Sequence, residues 1–148
     1  MTFKHREIAK LLIAKDAKLV SLPRQDGVLP IHVAASVGDC QCIELLIQAG
    51  AKVSVANKEQ RHPIHYTARA NYAKATQVLI KSGADINART ALGLTPLHIA
   101  CRSGATEAAR ILLENGATTD AKDNSGNLPI DVARKAGHKE LVELLQRH

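Results

Sequence analysis

Apolar residues in this chain come in short clusters at helical spacing. Ala108, Ala109, Leu112 and Leu113 share the inward face of a helix read over residues 106–115. A shorter helix precedes it over residues 96–103, where Ala100 and Cys101 permit close packing. Gly104 separates the two, and Gly116 supplies the left-handed residue that ends a helix. The polar, turn-rich stretch over residues 84–94 suits a projecting hairpin loop. Helices this short are marginal alone, so the pattern predicts that they stack on neighbours. The longest apolar runs, such as residues 11–14, are far too short to cross a membrane.

The helix pair recurs. Pro30, Pro63, Pro96 and Pro129 are spaced by 33 residues each time, within Leu29-Pro30-Ile31-His32, His62-Pro63-Ile64-His65, Thr95-Pro96-Leu97-His98 and Leu128-Pro129-Ile130-Asp131. Proline at the first helical position loses nothing, because its missing N–H has no partner there. All nine glycines fall into three columns of the same period. Gln60 replaces glycine in the column of Gly27, Gly93 and Gly126, and Asn71 does so in that of Gly38, Gly104 and Gly137. Asparagine is the usual non-glycine residue at positive φ, so Asn71 fits its column. No glycine is left to build a phosphate-binding loop.

Thr95-Pro96-Leu97-His98, Gly83-Ala84-Asp85-Ile86-Asn87 and the 33-residue period together resemble the ankyrin repeat, over almost the whole chain. The family pattern Asp-x-x-Gly-x-Thr-Pro-Leu-His-x-Ala-Ala-x-x-Gly-His is best met over residues 90–105. The resemblance implies an all-α solenoid of stacked helix-turn-helix units with projecting hairpin loops, whose tips and first helices form a concave face that grips a partner protein. The expected division is a single domain over 1–148, with a partial repeat at 1–25 and repeats at 26–56, 57–89, 90–122 and 123–148.

The pattern is broken in places. Only Thr95 keeps the helix-capping hydroxyl; Leu29, His62 and Leu128 lose a cap worth roughly 1 kcal/mol, which makes 90–122 the unit expected to be most stable. Residues 7–15 match a second helix, but the first helix of that unit is missing or reduced to residues 1–5, and the loop at 19–27 is one residue longer than its counterparts. Lys4, Arg6, Lys10 and Lys15 supply a polar outer face to the end of the stack, or the chain is a piece of a longer array; both readings stay open here. Residues 141–145, interleaved with charged side chains, read as a solvated cap.

Composition narrows the chemistry. The chain is 45% apolar, yet it has no Trp, one Phe and two Tyr, which suits many small helix contacts better than one large core. Three cysteines with no even pairing argue against a disulfide framework, and residues 1–4 do not open a signal peptide. The expectation is a cytoplasmic protein, with the nucleus also open, acting as a monomer. The net charge of +6 is concentrated in residues 1–25 and 59–91. Without stacking aromatics it is too modest to indicate nucleic acid, though a basic nucleic-acid-binding module is kept as an alternative, as is a regulatory segment of a larger enzyme or channel.

No nucleophile elbow, phosphate loop, zinc spacing or carboxylate pair is present, so no catalytic residue, cofactor, metal or small-molecule substrate is expected. His32, His65 and His98 share one column and read as imidazoles bonded to loop backbone, ahead of any metal role for His62 with His65. Cys42 and Cys101 read as small core residues. Cys40 is placed outward near a helix N-terminus, where a thiolate is favoured, and is the thiol expected to label readily. Mapped by column, the resemblance assigns partner contacts to loop tips and first helices: Lys58, Arg61, Arg69, Leu92, Leu94, Arg102, Asn124 and Lys135. Arg61, Arg69, Arg102 and Lys135 form a basic stripe beside apolar Leu92 and Leu94, which fits a partner segment with acidic residues and an apolar anchor. Asn87 also matches, with Leu79, Asp85 and Ile86, the spacing that asparaginyl hydroxylases modify in some family members; as the consensus residue it equally bridges the hairpin.

Overall fold

The computed structural model describes Glu7, Lys10, Leu11 and residues 20–148. Four helix pairs follow one another: α1 (Pro30–Val37) with α2 (Cys40–Gln48), α3 (Pro63–Arg69) with α4 (Ala73–Lys81), α5 (Pro96–Ser103) with α6 (Thr106–Glu114), and α7 (Pro129–Lys135) with α8 (Lys139–Gln146). Within each pair the helices pack on each other. Between pairs, first helices pack on first helices and second helices on second helices, which is the stacking of a solenoid. Glu7, Lys10 and Leu11 are helical, and Glu7 and Lys10 form an ion pair at 3.5 Å. The rest of the expected helix over residues 7–15, with Lys4, Arg6 and Lys15, lies outside the described residues. No helix among the described residues is long and apolar enough to cross a membrane.

The buried strip is continuous and built from repeated positions. Ile31, Ile64 and Leu97 line it from the first helices, and Leu46, Leu79, Leu112 and Leu145 from the second. Full burial of each such side chain is worth about 1.5–3 kcal/mol, which short helices cannot gain alone. Small residues set the spacing: Ala35, Ala68 and Cys101 are fully buried in one column. The left-handed turn after a first helix also admits a ring from the next pair. A Cβ on Gly38 would stand 2.7 Å from the Tyr72 ring, and one on Gly104 would stand 2.8 Å from the His138 ring.

The two glycine replacements keep the glycine conformation, Gln60 at φ 58° and Asn71 at φ 61°. Asn71 does more than tolerate it. Its Oδ1 accepts the Ala108 N–H at 2.9 Å, in the first turn of α6. The residue at that helix's own N-cap position is Ala105, which has no acceptor, so the preceding unit caps it instead.

The histidine column joins each unit to the next loop. Nδ1 of His32, His65 and His98 accepts the backbone N–H three residues earlier, at 3.0, 2.8 and 3.2 Å. That assigns the proton to Nε2, which donates to Val55 and Arg61 carbonyls from His32, to Ala88 from His65 and to Asn127 from His98. In α7 the Asp131 carboxylate takes the same N–H, from Leu128, at 2.9 Å. Leu29, His62 and Leu128 therefore lack the hydroxyl half of the cap, but the third helical residue supplies the other half in every unit. Thr95 alone has both halves, its Oγ1 accepting the His98 N–H at 3.3 Å.

A candidate protein-binding cleft on the loop side of the stack

The loop before α3 is shaped by Asn57. Its Oδ1 accepts the N–H groups of Glu59 and Arg61, both at 2.9 Å, and its Nδ2 donates to Tyr66 Oη at 3.0 Å. Successive loops are then stitched by single backbone bonds. Lys58 N–H donates to the Asp26 carbonyl, Ala91 to Glu59 and Asn124 to Leu92, at 3.0, 3.0 and 3.1 Å. Two neighbouring loops and the helices α3 and α5 thus hold a cleft of about 300 Å³. That size suits one or two partner side chains.

Arg61, Arg69 and Arg102 enter this cleft together with Leu92 and Leu94. Arg61 Nε pairs with Glu59 Oε2 at 3.2 Å. Arg69 and Arg102 are exposed and form no ion pair among the described residues. Leu92 is 63% exposed at the loop tip. Tyr66 and Ile99, which column mapping did not select, complete the wall. Each lies three residues before Arg69 or Arg102, one helical turn back on the same face, and that spacing was the available signal. The Tyr66 ring stands edge-on to His32 at 5.9 Å.

Three of the expected contact residues lie elsewhere. Lys58 is exposed but outside the cleft lining. Asn124 is exposed, yet its Nδ2 donates to the Ala91 carbonyl at 2.9 Å, so its amide is part of the loop stitching. Lys135 Nζ donates to Asn127 Oδ1, which ties it to the loop of its own unit.

Two expectations are corrected. Leu94 is not an apolar tip residue; it is buried, at 8% exposure. Thr90 takes the Leu94 N–H on Oγ1 and donates its own N–H to the Leu94 carbonyl, turning the chain back on itself. Leu94 also occupies the position before the Thr95 cap, where an apolar side chain packs toward the fourth helical residue, here the buried Ile99. Cys40 is the second correction. It is half-buried at the start of α2, and burial, followed by the nearby Glu44 and Asp39 carboxylates, pushes its thiol up. Asp39 caps that helix through the Cys42 N–H at 3.1 Å, so the positive end of the helix is already answered by a carboxylate. Cys101 is fully buried, and its thiol is raised to about 12.

His62 and His65 do not form a ligand pair. Both His65 nitrogens are engaged, one by the His62 N–H and the other by the Ala88 carbonyl. The rings meet edge-on at 5.7 Å. Among the described residues no group of three His, Cys, Asp or Glu side chains is placed to hold a metal. Asn87 is half-buried, and its Oδ1 accepts the Thr118 N–H of the following unit at 2.9 Å, so its side chain holds two loops together.

No curated protein matches the chain. The family profile for ankyrin repeats, three copies long, matches residues 1–90 and again residues 64–148, so the two matches together span the chain. Ankyrin repeats generally mediate protein–protein interaction, and domains built from them are typically non-catalytic. The helix pairs, the histidine-bonded loops and this match agree, and the chain belongs to the ankyrin-repeat family.

Proposed function

We propose that this chain is a non-catalytic interaction module that docks a partner protein in the cleft formed by the loops before α3 and α5. The supporting observation is the placement of Arg69 and Arg102, two guanidiniums with no ion pair among the described residues, on successive first helices beside exposed Leu92. Guanidinium groups favour carboxylates through forked hydrogen bonds, and an exposed leucine gains from an apolar anchor. The partner is therefore a protein segment with acidic and apolar side chains. The proposed units at 26–56, 57–89, 90–122 and 123–148 each contain one first helix and one second helix.

The test compares Arg69→Ala/Arg102→Ala with the wild type in quantitative pull-downs from the native cell, at low and raised salt. The double variant is expected to retain its fold by circular dichroism and to lose partner binding at least several-fold. The wild-type advantage shrinks as salt rises. Equal recovery of the same partners at low salt would remove this face from consideration.

A further inference from the structure

The cleft contains its own anion. Among the described residues Arg61, Arg69 and Arg102 face one carboxylate in the cleft, Glu59, so two positive charges have no partner there while Arg61 is occupied. Glu59 is held at the rim by backbone bonds: its N–H donates to Asn57 Oδ1, and its carbonyl accepts from Ala91. Its side chain takes no part in those bonds and is 67% exposed, free to swing away from Arg61. The apolar part of the cleft, Tyr66 and Leu92, lies among the same three arginines.

We propose that the cleft takes a partner segment carrying two carboxylates beside one apolar side chain, and that Glu59 stands in for a partner carboxylate on Arg61 while the cleft is empty. The inference rests on the docking reading above and adds to it the charge of the occupant and an internal competitor. Charge complementarity carries it. Among the described residues Arg69 and Arg102 each lack a counter-ion, Leu92 needs an apolar cover, and Arg61 is released only when one of the partner's two carboxylates outcompetes Glu59. Exposed ion pairs of this kind are exchanged easily, because water and salt screen both states.

The experiment measures binding of the full chain to a labelled extended peptide with two glutamates beside one leucine, and to its glutamine counterpart. Glu59→Gln keeps the shape and the backbone bonds but leaves Arg61 free. It is expected to bind the acidic peptide about two- to five-fold tighter than wild type, with no gain for the glutamine peptide. The gain should shrink toward none in an Arg61→Ala background. Unchanged or weaker binding by Glu59→Gln, while Arg69→Ala/Arg102→Ala abolishes binding, would overturn the stand-in role alone. A gain of the same size without Arg61 would also overturn it, because Glu59 would then act by its own charge. No binding of the acidic peptide to any form of the chain would overturn the docking reading and this inference with it.

Discussion

Acidifying the protein should destabilise it before most of its carboxylates titrate, because the histidine column can work only when neutral. His65 Nδ1 must accept the His62 N–H, and Nε2–H must donate to Ala88; an imidazolium has no acceptor and breaks the first bond. Burial is the main reason that the His65 pKa falls to about 4, against an ordinary 6.5, with the nearby His62 acting in the same direction. The folded state then refuses a proton that the unfolded chain accepts between those two values. Its stability is complete above about pH 6.5 and is lost as pH falls toward 4. At about pH 5 the loss from His65 alone is about 2 kcal/mol. His32 and His98, also held low mainly by burial, add to it with the same sign. Urea unfolding followed by helical circular dichroism should show a midpoint level from about pH 8 to about pH 6.5 and falling from there to about pH 5, with the denaturant slope constant. Histidine ring-proton NMR titration of the folded protein assigns the effect. A midpoint unchanged down to pH 5, or a His65 ring that titrates near 6.5 in the folded state, would refute the reasoning.

Two further outcomes test local features. Asn71→Ala removes the inter-unit cap on Ala108 and leaves a Cβ at positive φ, so it should cost about 2 kcal/mol in chemical denaturation; Asn71→Gly relieves the strain and should cost about 1 kcal/mol or less. Equal costs for both would mean that a Cβ at this positive φ carries no strain, and no cost for Asn71→Ala would mean that the bond to Ala108 contributes nothing. In thiol labelling of the native protein near neutral pH, Cys40 should react more slowly than an unhindered thiol, and Cys101 only on unfolding. Rapid native reaction at Cys40 would show that burial and the Glu44 and Asp39 carboxylates do not suppress its thiolate.

The elements were legible because each is specified within a few residues. A proline opens every first helix, glycines or their replacements end the turns, and second-helix leucines recur at helical spacing. The role of His32, His65 and His98 could be read from their shared column, since both bonds are made within one unit and the next loop. Single-column reasoning misplaced Cys40, whose thiol is held up first by burial and then by the Glu44 and Asp39 carboxylates, whatever its position at a helix start. It misplaced Leu94 because a loop-tip column does not show that Thr90 folds the chain back beneath the tip.

The repeat, its phase and the left-handed positions are written in the residues, because those follow from backbone sterics and the burial of one helix face. What neighbouring units do for each other becomes visible once they are stacked. Asn71 reaches 37 residues ahead to cap α6, Asn124 stitches back 33 residues to Ala91, and Glu59 occupies Arg61 within a cleft shared with Arg69 and Arg102. Such contacts depend on how far one unit is rotated and offset from the next. That offset is set by the packing of small buried residues such as Ala35, Ala68 and Cys101. No local pattern states it, so the charge arrangement that defines the cleft emerges only when the units are stacked.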